Sequence, residues 1–160
     1  MDTQTVRTTH DLERFSKIRR KPATPRGYVV LLGFDYFDLP SLLEAIEAGF
    51  TWKTFERLVK NIGLPPDHVA AVIGIPRSTL ARRKVEARLK PDESDRLLRL
   101  ARVLGGALDL FDGDREAAVG WLTDVNVALG GVAPLELART EIGAGEVENL
   151  VGQIQHGILA

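Results

Sequence analysis

Apolar residues recur at helical spacing in one segment after another of this 160-residue chain, and glycine closes several of those segments. In "DLPSLLEAIEAG" (38–49), Asp38 is placed to cap, Pro40 falls in the first turn, Leu42, Leu43 and Ile46 follow, and Gly49 is the stop. "TWKTFERLVKNIG" repeats the design: Thr51 caps, Trp52, Phe55, Leu58 and Val59 share a face, and Gly63 ends it. Pro65 and Pro66 open a third helix, "DHVAAVIG". The longest predicted helix runs from Glu93 to Phe111, with Leu97, Leu100, Ala101, Leu104, Leu108 and Phe111 on one stripe. Gly105 and Gly106 weaken its middle by ~1 kcal/mol each relative to alanine, so close packing is expected there. A helix through Trp121, a loop "DVNVALGG", a short helix from Pro134 and a last helix from Gly145 follow. Val147, Leu150, Val151, Ile154 and Ile158 stripe that last helix. Only "YVVLL" (28–32) is open between a strand and an extended packing segment. The expected fold is all-α.

Composition narrows the class. The chain is 44% apolar and 27% charged, a globular mix, and it has no cysteine, which excludes disulfide and thiolate chemistry and suits the cytoplasm. His10, His68 and His156 are far apart and match no metal-ligand spacing, so no metal is expected. "YVVLLGFDYF" follows a basic stretch but is interrupted by Asp35 and has no small-residue cleavage site after it. No run approaches the ~20 apolar residues of a membrane span.

Charge is divided along the chain. Residues 1–102 hold 19 Lys and Arg against 13 Asp and Glu, whereas residues 103–160 hold 2 against 9. That division suggests a basic part for a polyanion and an acidic part for another partner. Residues 1–27 are polar, with two prolines and the cluster Lys17, Arg19, Arg20 and Lys21. They are read as a flexible basic N-terminal arm.

"VIGIPRSTLARRK" (72–84) carries the sharpest signal. A DNA-reading helix–turn–helix needs a small residue in its first helix, glycine at the turn, and apolar residues after the turn and inside the second helix. Ala70, Gly74, Ile75 and Leu80 supply them, with Val69 and Ile73 facing the core. Arg83 stands where another apolar residue is usual, so the second helix is expected to lean on its neighbours through Leu80 and Val85. Arg77, Ser78, Ala81 and Arg82 should face outward near its start, and arginine is the usual bidentate partner of guanine. Ser78, Thr79, Arg83 and Lys84 suit phosphates, which position without reading sequence. The competing reading is an αα-corner with solvated arginines; nearby Arg88, Lys90, Arg96, Arg99 and Arg102 favour DNA.

No constellation points to catalysis. Asp109, Asp112, Asp114 and Glu116 surround a glycine turn, where carboxylates cap helices, and "LGGALDL" lacks the strand and spacing of a phosphate loop. Trp121, at helical spacing, is expected in the core. The chain reads as a binding protein without cofactor, not an enzyme.

"ESDRLLRLARVLGGALDLF", "AAVGWL" and "NVALGGVAPLELARTEIGAGEVENLVGQIQHGI", in that order, resemble the C-terminal domain of the Xre/MbcA/ParS antitoxins. "GIPRSTLARRK" and "LPSLLEAIEAGFTWKTFERL" are similar to the helix–turn–helix region of the Xre members. The resemblance rests on Glu93-Ser94-Asp95-Arg96, Trp121-Leu122, Gly130-Gly131, Pro134-Leu135 and Thr140-Glu141; Val125 departs from it, since proline is more usual before Asn126. It implies an antitoxin that neutralises a RES-domain toxin degrading NAD and represses the shared operon. It further implies that the last helix and tail approach the toxin's active-site cleft, which points to Gln153, His156, Gly157, Ile158, Leu159 and Ala160. The expected organisation is a basic arm (1–27), a DNA-binding domain (28–92) and a toxin-binding domain (93–160), acting as a homodimer on operator DNA. Two rivals are a stand-alone regulator, whose C-terminal domain binds another ligand or only dimerises, and an interaction module that has lost DNA binding.

Overall fold

The computed structural model describes residues 3–19 and 26–158. Nine α-helices form among them: α1 (Thr3–Arg19), α2 (Leu39–Ala48), α3 (Trp52–Ile62), α4 (Pro66–Val72), α5 (Arg77–Glu86), α6 (Pro91–Leu110), α7 (Arg115–Thr123), α8 (Pro134–Leu137) and α9 (Glu141–Gln155). There is no strand among the described residues, so the all-α expectation holds. Local chemistry explains the boundaries. The side chains of Asp38, Thr51, Asp114 and Thr140 accept from backbone N–H groups in the first turns of α2, α3, α7 and α9. No described helix is long and apolar enough to cross a membrane.

α6 is the axis of the molecule. Leu97, Leu100, Ala101, Leu104, Ala107 and Leu108 are fully buried in it, and α2, α3, α7 and α9 all pack on it. One apolar cluster runs from Phe15 in α1 to Val147 in α9, so both halves of the sequence share a core. The glycines in the middle of α6 do admit close neighbours. A Cβ on Gly105 would lie 2.9 Å from the Cβ of Tyr28, and one on Gly106 would touch Val151 of α9.

Three expectations need correction. The basic arm is instead largely the helix α1, docked by Phe15 and by Asp11, which is buried and bonded by Arg57 (2.7 Å) and Asn61 (3.1 Å) of α3. One buried carboxylate with matched donors outweighs the polar composition that suggested disorder; Arg20 and Lys21 lie outside the described residues. "YVVLL" is neither strand nor extended: residues Gly27–Leu32 coil into a 3-10 helix whose Val29, Val30, Leu31 and Leu32 are buried against α1, α3 and α6. α9 begins at Glu141 and not at Gly145. Gly143 sits in its first turn because a Cβ there would overlap the Leu137 carbonyl oxygen, so glycine here serves the α8–α9 crossing.

Candidate functional sites

The turn between α4 and α5 has the form expected of a helix–turn–helix. Ala70, Ile73, Ile75 and Leu80 are buried, and Gly74 adopts a φ of 73°. That left-handed conformation is cheap for glycine and lets the Ile75 N–H reach back to the Ala70 carbonyl at 2.8 Å. Pro76 precedes the first residue of α5, and its fixed φ suits a helix start.

α5 presents Arg77, Ser78, Arg82 and Lys84 to solvent, with Thr79 half-buried. Arg77 is not idle: its guanidinium pairs with Asp67 at the start of α4 at 2.9 Å, which aims it along the outer face of the corner. Arg82 and Lys84 make no ion pair among the described residues. Between α3 and α5 runs an open groove of about 450 Å³, floored by Trp52, Phe55, Val59 and Leu80 and rimmed by Lys60, Lys84 and Arg77.

Arg83 does not belong to that face. Its side chain is 5% exposed, and it donates from Nε and Nη2 to the Glu93 carboxylate at 2.8–3.1 Å and from Nη1 to Glu86 at 3.2 Å. The expected phosphate contact is corrected: Arg83 fills the inward position usually held by an apolar residue, neutralised by a carboxylate in the next helix. Val85, expected to anchor α5, is 88% exposed; Leu80 and Arg83 hold the helix instead. The Glu93 carboxyl is raised by burial but brought below its ordinary range by the Arg83 bonds, the Lys90 N–H (2.8 Å) and the Arg83 charge.

Four of the five other basic residues that seemed to favour DNA are also occupied; Lys90 is exposed. Arg88 donates to the Gly49 carbonyl (2.7 Å) and Arg96 to the Ile73 carbonyl (2.6 Å). Arg99 bonds Glu141 (3.0 Å) and the Arg139 carbonyl (3.0 Å), and Arg102 bonds Glu141 (2.7 Å) and Glu148 (3.0 Å). The charge division along the sequence is therefore partly cancelled in space, where α6 cations meet α9 carboxylates. "ESDR" gains its physical meaning here. Glu93 holds α5, Ser94 Oγ accepts from the buried Phe50 N–H at 2.7 Å, and Arg96 holds the α4–α5 turn.

In the C-terminal part, α9 buries Val147, Leu150 and Val151, while Gln153 and, just past the helix, His156, Gly157 and Ile158 are exposed. Ile154 is half-exposed and Ile158 is 67% exposed, so the inward stripe ends at Val151. Gly157, at a φ of 66°, turns the chain so that its own N–H and that of Ile158 bond the Ile154 and Gln153 carbonyls. Leu159 and Ala160 lie outside the described residues. Val125 and Val127, in the loop after α7, are also exposed apolar side chains of this half, one that sequence reasoning did not single out as a contact surface. Trp121 is half-buried, stacked at a tilt 6.4 Å from Phe111, while Leu122 beside it is fully buried. Among the described residues no group of His, Asp or Glu could hold a metal ion.

Comparison with known proteins yields two family matches that meet inside α6. Residues 41–102 match the antitoxin Xre-like helix-turn-helix domain, and residues 106–157 match the antitoxin Xre/MbcA/ParS C-terminal toxin-binding domain. The chain is 34% identical over 120 residues to an antitoxin Xre of Yersinia enterocolitica, covering 74% of this chain and 81% of that protein. It is 38% identical over 130 residues to an antitoxin Xre of Photorhabdus laumondii, covering 81% and 88% respectively.

Proposed function

The chain belongs to the Xre family of antitoxins, and from that premise we propose that it neutralises a RES-type toxin that degrades NAD and represses the operon encoding both. The observation that carries this reading is the placement of two unlike exposed surfaces on one continuous core. α5 offers Arg77, Ser78, Arg82 and Lys84 to DNA, and α9 ends in Gln153, His156, Gly157 and Ile158, free of the core. A recognition helix in the major groove would set Arg77 and Arg82 over base edges and Lys84 against phosphate. Two-fold operators favour a homodimer, which would place one α5 in each half-site.

Neutralisation is assigned to the chain's end. Once Gly157 has released the chain from helical geometry, the exposed Ile158 and the residues that follow it would be free to enter a cleft of the toxin. The test is growth of cells carrying a RES toxin with either the full antitoxin or a form lacking residues 156–160. The full chain should protect, and the truncated chain should keep its fold but release NAD degradation. Full protection by the truncated form would move neutralisation elsewhere on the surface, and failure of the full chain to protect would refute the RES assignment.

A further inference from the structure

The groove between α3 and α5 has a floor that DNA does not use. Trp52, Phe55, Val59 and Leu80 offer apolar side chains there, whereas a phosphate backbone brings charge and sugar. Its volume of about 450 Å³ suits a small molecule, since sites of that kind enclose roughly 300–1,000 Å³ with apolar walls and a few placed polar groups.

The walls are set before anything binds. At one end the Trp52 N–H donates to the Ala87 carbonyl, just past α5, at 2.9 Å. At the other, Arg77 in the first turn of α5 pairs with Asp67 of α4 at 2.9 Å. These two tethers fix the separation of α5 from its neighbours, and Ala81 contributes only a methyl group between them. A preformed site of this kind loses little freedom when a ligand enters.

The polar groups define the ligand. Lys60 and Lys84 stand at the rim and form no ion pair among the described residues, while the Arg77 charge is matched by Asp67. Glu56 is the remaining carboxylate of the lining, so the groove keeps an excess positive charge. The Trp52 indole Nε1–H is buried and has no acceptor among the described residues. A buried donor without an acceptor costs free energy that a ligand oxygen relieves. The lining therefore asks for a flat apolar body carrying one anionic, oxygen-bearing group.

We propose that the α3–α5 groove is a binding site for a small aromatic carboxylate, its ring on Trp52, Phe55 and Val59 and its carboxylate between Lys60 and Lys84. The ligand lies against Arg77 and Lys84, so it competes with DNA for α5. This regulatory consequence rests on the function proposed above, whereas the binding site does not.

The probe is naphthoate, with neutral naphthylmethanol and cationic naphthylmethylamine for comparison, titrated into the full chain. Two tryptophans give two indole N–H resonances, and Trp121, beside Phe111 in the C-terminal part, is the internal control. Naphthoate should move the Trp52 resonance saturably, with half-saturation below about 1 mM, and leave Trp121 in place. Naphthylmethanol should bind at least about fivefold more weakly, and naphthylmethylamine more weakly still. Ala81→Phe, at an exposed position, fills the groove and should abolish the shift. Lys60→Gln, which leaves the groove open, should weaken naphthoate at least about fivefold. Movement of both resonances or of neither, or wild-type affinity in Lys60→Gln, would overturn the site. Equal binding of the three probes would overturn the carboxylate assignment. A Trp52 shift that follows protein concentration alone, with dimers in sedimentation, would give the groove to a second copy of the chain and overturn the proposal. Saturating naphthoate should also lower operator affinity at least about fivefold, and unchanged affinity would overturn the competition. A chain that binds no operator would refute the DNA-reading function and the competition with it, while the indole titration would still decide the site.

Discussion

Arg83 of α5 and Glu93 of α6 form a buried ion pair, 2.8 Å from Nε to Oε2, at the base of α5. The same carboxylate accepts the Lys90 N–H and so caps α6. A residue that looks from sequence like one more DNA-facing cation is thus the fastening of α5 to α6. Removing either partner leaves an uncompensated buried charge. Arg83→Ala and Glu93→Ala should each cost ~3–5 kcal/mol, and the double variant should cost much less than their sum. Urea unfolding of the three variants checks this; simple additivity would mean the pair does not act as a unit.

Only the residues left exposed on α5 should govern operator binding. Arg82→Ala is expected to cost ~1–3 kcal/mol on the operator and to relax its sequence preference. Lys84→Ala should weaken all duplexes alike and lower the salt slope by about one. Binding titrations at several salt concentrations separate the two. Unchanged binding in both variants would reject α5 as the recognition helix.

Stability should fall in acid because several carboxylates are held below their ordinary range. Burial raises Glu93, but the Arg83 and Lys90 bonds lower it further; burial likewise raises Asp11, and Arg57 and Asn61 bring it down. For Glu141 the Arg102 bond is the leading cause, opposed by burial and aided by Arg99. The unfolded chain therefore takes up protons first as pH falls. These groups contribute fully above the ordinary carboxylate range and lose that contribution as pH drops through their folded values, from about pH 5 downward. Melting temperature against pH checks the sign, and Glu93→Gln should flatten the acid limb.

Leu122, not Trp121, is the anchor of α7. Leu122→Ala removes a fully buried side chain and should cost ~2–5 kcal/mol. Trp121→Ala, at a half-buried position against Phe111, should cost clearly less. Thermal or urea unfolding ranks them; the reverse order would place the core differently.

The sequence by itself determined α2 to α8, the caps of α2 and α3 and the corner at Gly74, because each depends on groups within a few residues of one another. Asp38 bonds Ser41, Thr51 bonds Thr54, and Gly74 turns between Ala71 and Ile75. Its family motifs also carried the antitoxin assignment. The fate of the long charged side chains was decided only by tertiary structure. Arg83 finds Glu93 ten residues away, Arg57 finds Asp11 forty-six away, and Arg139 finds Ala71 sixty-eight away. Local patterns count such arginines as surface because their charge demands solvent or a partner, and periodicity cannot say which. The partner exists only once α6 has brought the distant helices together. The same reason hid α1, whose polar run looked disordered until Asp11 met its donors on α3.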